Sequence, residues 1–159
     1  MDEDIKRRAL ALEEEGDCEA LYQLIKPYVD ANEPFALNLY AGFSLSSFNE
    51  TEEEYSKRYI RLKTMASEGG ISDASYRMGV NHLYGDDVEQ SYSKAKMYFE
   101  RAISQGHSYT KYTHGFSLYY GKNNNEKDEV RGLALIREAA AEGVQGAINE
   151  LEIITGKNA

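Results

Sequence analysis

The sequence predicts an all-α solenoid built from tandem helix-turn-helix units. Apolar residues fall three or four positions apart through most of the 159-residue chain, which is the period of a helix with one buried face. Two glycine series run in phase through its middle. Gly42, Gly79 and Gly115 stand 37 and 36 residues apart, and Gly69, Gly106 and Gly143 stand 37 and 37 apart. A period of this length marks a helical array in which each pair buries its apolar face against the next. The first series falls inside helices, where glycine costs about 1 kcal/mol against alanine. Its recurrence implies that two helix backbones approach closely there.

The first helix runs from Asp4 to Glu15, with Ile5, Ala9 and Leu12 on one face, and Gly16 ends it. Asp17 is placed to cap a second helix, Cys18 to Val29, whose buried stripe is Leu21, Leu24, Ile25 and Tyr28. Pro27 kinks that helix or begins its end. Asn32 stands in for a closing glycine, so residues 1–33 read as a degenerate leading repeat. A third helix is expected from Pro34 to Ser46, with proline tolerated in its first turn. Thr51 and Glu54 have the spacing of a capping box at the next helix start.

The central unit is the clearest. Its first helix carries Tyr76, Val80 and Leu83, and Gly85 stops it. Ser91 or Ser93 caps its second helix, which buries Ala95, Tyr98, Phe99 and Ala102 and closes at Gly106. Another first helix follows from Tyr109 to Tyr120, then a polar loop from Gly121. Asp128 caps a helix that ends at Gly143. The whole chain, 1–159, thus reads as one domain: the leading unit, repeats at 34–70, 71–107 and 108–144, and a capping helix in 145–159.

Ala74, Met78, Gly79, Gly85, Val88, Lys94, Ala95, Tyr98, Phe99, Ala102 and Gly106 together carry a known pattern. The chain resembles the Sel-one-like repeat family, relatives of the tetratricopeptide repeats. The next unit matches at Gly115, Gly121, Asp128, Leu135, Ile136, Ala139, Ala140 and Gly143, and the unit before matches less well. The resemblance implies a right-handed α–α superhelix that serves as a binding scaffold. His82 and His114 depart from it, standing where the family has core Tyr and Leu.

Composition narrows the partners. The net charge is −9, and residues 1–54 hold 14 acidic and 4 basic side chains. Coulomb repulsion disfavours free nucleic acid and anionic membrane, and a basic protein is the natural complement. Cys18 is the single cysteine, so no internal disulfide forms. No leader peptide or spanning segment is evident, which points to the cytoplasm. His82, His107 and His114 lack metal-ligand spacing, and Gly121-Lys122-Asn123 lacks the rest of a phosphate loop. No catalytic residue, metal or other cofactor is expected.

In the superhelix that the resemblance implies, first helices line the concave side. Aligning them places Tyr40, Arg77 and Thr113 in one row and Phe43, Val80 and Phe116 in a second. Ser44, Asn81 and Ser117 make a third, and Ser47, Tyr84 and Tyr120 a fourth. Aromatic anchors with small polar groups between them are what binding surfaces use. The candidate partner-binding residues are therefore Tyr40, Arg77, Asn81, Tyr84, Phe116, Ser117 and Tyr120. The reading is a non-enzymatic protein-binding module, monomeric or weakly dimeric. Small members of such a family resemble immunity proteins that neutralise a toxin or effector. They also resemble general adaptors, and an enzyme is the remote alternative.

Overall fold

In the computed structural model, which describes residues 1–156, the apolar periods fold as nine α-helices among the described residues. They are α1 (Glu3–Glu15), α2 (Cys18–Asp30), α3 (Pro34–Ala41), α4 (Glu52–Glu68), α5 (Ser72–Tyr84), α6 (Tyr92–Ser104), α7 (Ser108–Tyr120), α8 (Glu129–Ala141) and α9 (Gln145–Thr155). Substantial contacts join helices adjacent in sequence, which is the organisation of a solenoid. The closest-packed pairs are α7 with α8 and α5 with α6.

Side chains next to the helix starts set most of these boundaries. Asp2, Asp17, Ser91 and Asp128 each accept a backbone N–H three residues on, which satisfies one of the orphan donors at a helix start. Thr51 and Glu54 form the reciprocal capping box. Pro27 lies in the last turn of α2.

The closing residues correct the phase read from the sequence. Asn32 takes the left-handed conformation after α2, as Gly70, Gly106 and Gly143 do after α4, α6 and α8. Gly70 therefore belongs to this series, whereas Gly69 has φ −79° and caps α4. Gly69 is small for another reason, since a Cβ there would run into the Pro34 ring. Counted from Asn32, Gly70 and Gly106, the residue level with Gly79 and Gly115 is Ala41, fully buried, and not Gly42. The expected close approach is present at the other two. A Cβ on Gly79 would lie 2.5 Å from the Phe99 ring of α6, and one on Gly115 would lie 2.9 Å from Leu135 Cβ of α8.

Helix α3 also ends earlier than its apolar pattern implies, at Ala41 instead of Ser46, with a single 3₁₀ turn at Ser46–Phe48 beyond it. The cause lies across the chain on α4. Arg58, 9% exposed, donates to the carbonyls of Tyr40 and Phe43 at 2.9 Å each, and Tyr55 Oη donates to that of Ala41. Side chains of α4 thus take the carbonyls that a longer α3 would have used. Glu50 neutralises Arg58 through both carboxylate oxygens, and the guanidinium holds the Glu50 carboxyl below its ordinary range.

The core is a file of small clusters. It passes from Leu21, Ile25 and Leu39, through Leu37, Leu62 and Ala66, to Leu83 and Phe99, and ends at Ile136 and Ala139. Helix α9 covers the last cluster with buried Ala147 and half-buried Leu151 and Ile154. Residues 157–159 of the expected capping segment lie outside the described residues.

Candidate functional site

The first helix of each pair contributes to one common face, on which two clefts open. The smaller, about 220 Å³, lies between α5 and α7 and is walled by Tyr76, Val80, Tyr84, Tyr109, Thr113 and Ser117. The larger, about 720 Å³, lies between α1, α3 and α5, with Tyr59 and Lys63 of α4 in its lining.

An aromatic ladder crosses the first of these. Tyr76 of α5 meets Tyr109 of α7 edge to face, with ring centroids 5.7 Å apart. Tyr109 meets Tyr112, Tyr112 meets Phe116 and Phe116 meets Tyr120, at 6.2, 6.3 and 4.7 Å. The four α7 rings recur at spacings of three, four and four residues, so one helix face carries them all. Tyr84, Tyr109 and Tyr120 are 69%, 48% and 39% exposed. Large rings left this open at the edge of a packed ladder offer apolar area and a polar tip together.

Neighbouring groups fix the rungs. His107 caps α7 through Nδ1, which accepts from the Thr110 N–H, and its ring stacks on Tyr76 at 5.0 Å. Burial lowers the pKa of His107, so the imidazole stays neutral and can accept. Tyr112 lies against the backbone of Gly146, where a Cβ would come within 2.6 Å of the ring. Tyr120 donates its hydroxyl to Glu150 of α9 at 2.5 Å, and that bond pushes its pKa up to about 12.

The structure sorts the residues expected from sequence. Tyr84, Phe116 and Tyr120 gather at the α5–α7 cleft and its ladder. Ser117 lines the cleft but is buried, its hydroxyl donating to the Thr113 carbonyl and accepting from Asn123 Nδ2. Asn81 is buried, and its Nδ2 donates to the Asp86 carbonyl, so it holds the loop after α5. Arg77 lines the larger cleft. Tyr40 lines neither cleft. It packs with Tyr22, Phe43 and Phe48 and lies under Arg58, whose guanidinium carbon is 4.4 Å from its ring centre. The phase correction explains this, because Leu39 is the residue level with Arg77 and it does line the larger cleft. Tyr76, Tyr109 and Tyr112 were missed as ladder members, although the run of α7 aromatics at helical spacing was there to be read.

The other two histidines are held inside the fold. His82, 7% exposed, stacks on Tyr98 and places Nδ1 3.3 Å from the Glu89 carbonyl. His114, 3% exposed, donates from Nε2 to Glu100 Oε1 at 3.0 Å, and Arg131 grips the same carboxylate with two nitrogens. Among the described residues, no group of three or more His, Cys, Asp and Glu is placed to hold a metal ion. Nor, among them, is any helix long and apolar enough to cross a membrane.

A file of paired helices with an open aromatic face defines a helical-repeat binding scaffold. Residues 72–107 and 114–144 match the family model of the Sel1 repeat, so these two units are Sel1-like repeats. Its fold is similar to that of a Sel1 repeat protein from Oxalobacter formigenes, with a TM-score of 0.71 and 24% identity over 80% of this chain and 94% of that one. It is also similar to a protective antigen from uropathogenic Escherichia coli strains, with a TM-score of 0.69 and 22% identity over 89% of this chain. This chain spans 29% of the antigen's length. No curated protein sequence matches the chain. The matched repeats point to a protein–protein interaction module.

Proposed function

We propose that the first-helix face binds an extended segment of another protein, with Tyr84, Phe116 and Tyr120 as its anchor. The observation that supports this is the ladder from Tyr76 to Tyr120, in which Tyr109 and Tyr120 are open while Tyr76, Tyr112 and Phe116 are half-buried and held by packing. Rigid, pre-placed aromatics lose little entropy on binding, so they dominate affinity. The protein acts without a cofactor and without turnover in this reading, as a cytoplasmic monomer or weak dimer.

A second observation gives the partner its charge. Twelve of the 14 acidic residues within 1–54 are exposed; Glu33 and Glu50 are the half-buried ones. That surface complements a basic protein and speeds encounter with it. The concrete form of this reading is an immunity protein that occludes a basic toxin or effector; the alternative is an adaptor that takes several peptides. Capture of partners by the tagged protein at low and at high salt tests both. One stoichiometric basic partner, lost when the exposed acids of α1 and α2 are neutralised, supports the inhibitor. Several partners lost in a Tyr84→Ala/Tyr120→Ala variant support the adaptor. Capture unaffected by either set of changes overturns the assignment of this face.

A further inference from the structure

The larger cleft contains a lysine where the repeat calls for a core residue. Lys63, Phe99 and Ile136 each stand seven residues before a left-handed closing glycine, Gly70, Gly106 and Gly143. Phe99 fills the space beside Gly79, and Ile136 packs beside Gly115. In the first unit the same position is an amine, its side chain 8% exposed, in the lining of a cavity of about 720 Å³.

The two buried cations of the described residues differ in how they are neutralised. Arg58 has a carboxylate on its guanidinium and two carbonyls besides. Lys63 donates only to Asn38, at 2.7 Å to Oδ1 and 3.2 Å to the carbonyl. Its nearest carboxylate, Asp73 Oδ2, is 4.0 Å away, beyond a hydrogen bond. Asp73 lies 3.6 Å from Arg77 Nε as well, so it sits between two cations and hydrogen-bonds to neither. Burial without a bonded counter-ion is costly for an ammonium, and it lowers the pKa of Lys63. Arg77, 58% exposed, lines the same cavity.

We propose that this cleft is a carboxylate subsite. An aspartate or glutamate side chain of the bound partner segment enters between Lys63 and Arg77, and Asp73, itself 46% exposed, turns toward solvent. Leu10, Phe35 and Leu39 take the apolar flank of that segment. With Asp73 turned away, Lys63 and Arg77 face Glu13 alone, an excess of one positive charge that matches one carboxylate. The cavity exceeds the size of a lone carboxylate and opens on the face already assigned to the partner, so the anion belongs to a peptide. The proposal rests on that reading of the face.

The test is an amide-resolved NMR titration of the whole protein near neutral pH. The probes are N-acetyl-glutamate methylamide, the matching glutamine compound and acetate. The expected result is saturable movement at Asn38, Asp73 and Arg77 with the glutamate probe, about tenfold weaker with the glutamine probe and in Arg77→Gln or Lys63→Met. Equal response to glutamate and glutamine, no saturation at about 100 mM probe, or unchanged binding in both variants overturns it. Acetate binding as tightly as the glutamate probe overturns the peptide source. These probes do not touch the aromatic ladder. A failure here therefore leaves the ladder assignment standing, and a failure of the Tyr84→Ala/Tyr120→Ala capture leaves this result standing.

Discussion

Gly115 of α7 and Gly132 of α8 face each other with backbone against backbone. A Cβ on Gly132 would fall 2.7 Å from the Gly115 carbonyl oxygen and 2.6 Å from the Tyr119 nitrogen. A Cβ on Gly79 would instead meet the ring of Phe99, which can tilt. Alanine gains about 1 kcal/mol of helix propensity at either place, against an overpacking penalty of about 1–3 kcal/mol. Gly132→Ala should therefore lower stability by about 2 kcal/mol, since backbone cannot move aside cheaply, and Gly79→Ala by less. Urea unfolding of the two variants ranks them; a Gly132→Ala protein as stable as the parent would mean that α7 and α8 are not packed this closely.

Arg58 is the residue on which the end of α3 depends. Arg58→Met leaves the Tyr40 and Phe43 carbonyls and the Glu50 carboxylate without their partner. Breaking one side of a buried pair costs about 3–5 kcal/mol. Part of that loss should return in Arg58→Met/Glu50→Gln, which removes the stranded charge. A double variant no better than the single one would show that the carbonyls, and not Glu50, set the cost.

Lys63 should behave in the opposite way. Replacing a buried charge that lacks a bonded counter-ion by an apolar residue of similar volume is neutral or stabilising. Lys63→Met should thus keep or raise the melting temperature while it weakens the carboxylate probe. A loss of several kcal/mol would make the lysine a structural element of α3 and α4, through Asn38.

Acid should weaken the fold through His114 and His107. Burial lowers the pKa of both below the imidazole's ordinary value, and for His114 the Glu100 carboxylate offsets only part of it. Such a group binds its proton more readily in the unfolded chain. Stability is therefore complete above the unfolded pKa of about 6.5 and falls as pH drops below it toward the lowered folded values. Melting temperatures followed from neutral to mildly acid pH should show this slope, and His114→Gln should flatten part of it. An unchanged slope in that variant would assign the whole effect to other groups.

Most helix boundaries were legible because each is set by side chains within a few residues. The caps at Asp17, Ser91 and Asp128 and the box at Thr51–Glu54 are of this kind. What was not legible is set from far along the chain. The early stop of α3 depends on Arg58, whose acceptors Tyr40 and Phe43 lie 18 and 15 residues away. The one-residue shift of the closing series came from two adjacent glycines, Gly69 and Gly70, with different tasks: one admits the Pro34 ring, the other turns left-handed. That shift put Tyr40 into the expected binding row and hid Lys63 opposite Phe99 and Ile136. On α7, Phe116, Ser117 and Tyr120 do fall at the α5–α7 cleft and its ladder, because the second glycine pair, Gly79 and Gly115, is in phase.

The restriction of substantial contacts to successive helices has a kinetic side. Nearly all of the packing closes short loops, so the chain has a low contact order and should fold quickly. The most extensive interfaces, α5–α6 and α7–α8, are natural places for folding to begin; the thinnest junction, α6–α7, separates them, and the light contacts of α1 with α2 and of α2 with α3 leave the amino-terminal end prone to fray. Hydrogen exchange should rise from those two interfaces toward that end. The amino-terminal end that frays in this way also carries the acidic surface, so engagement of a basic partner there would slow the opening of that end.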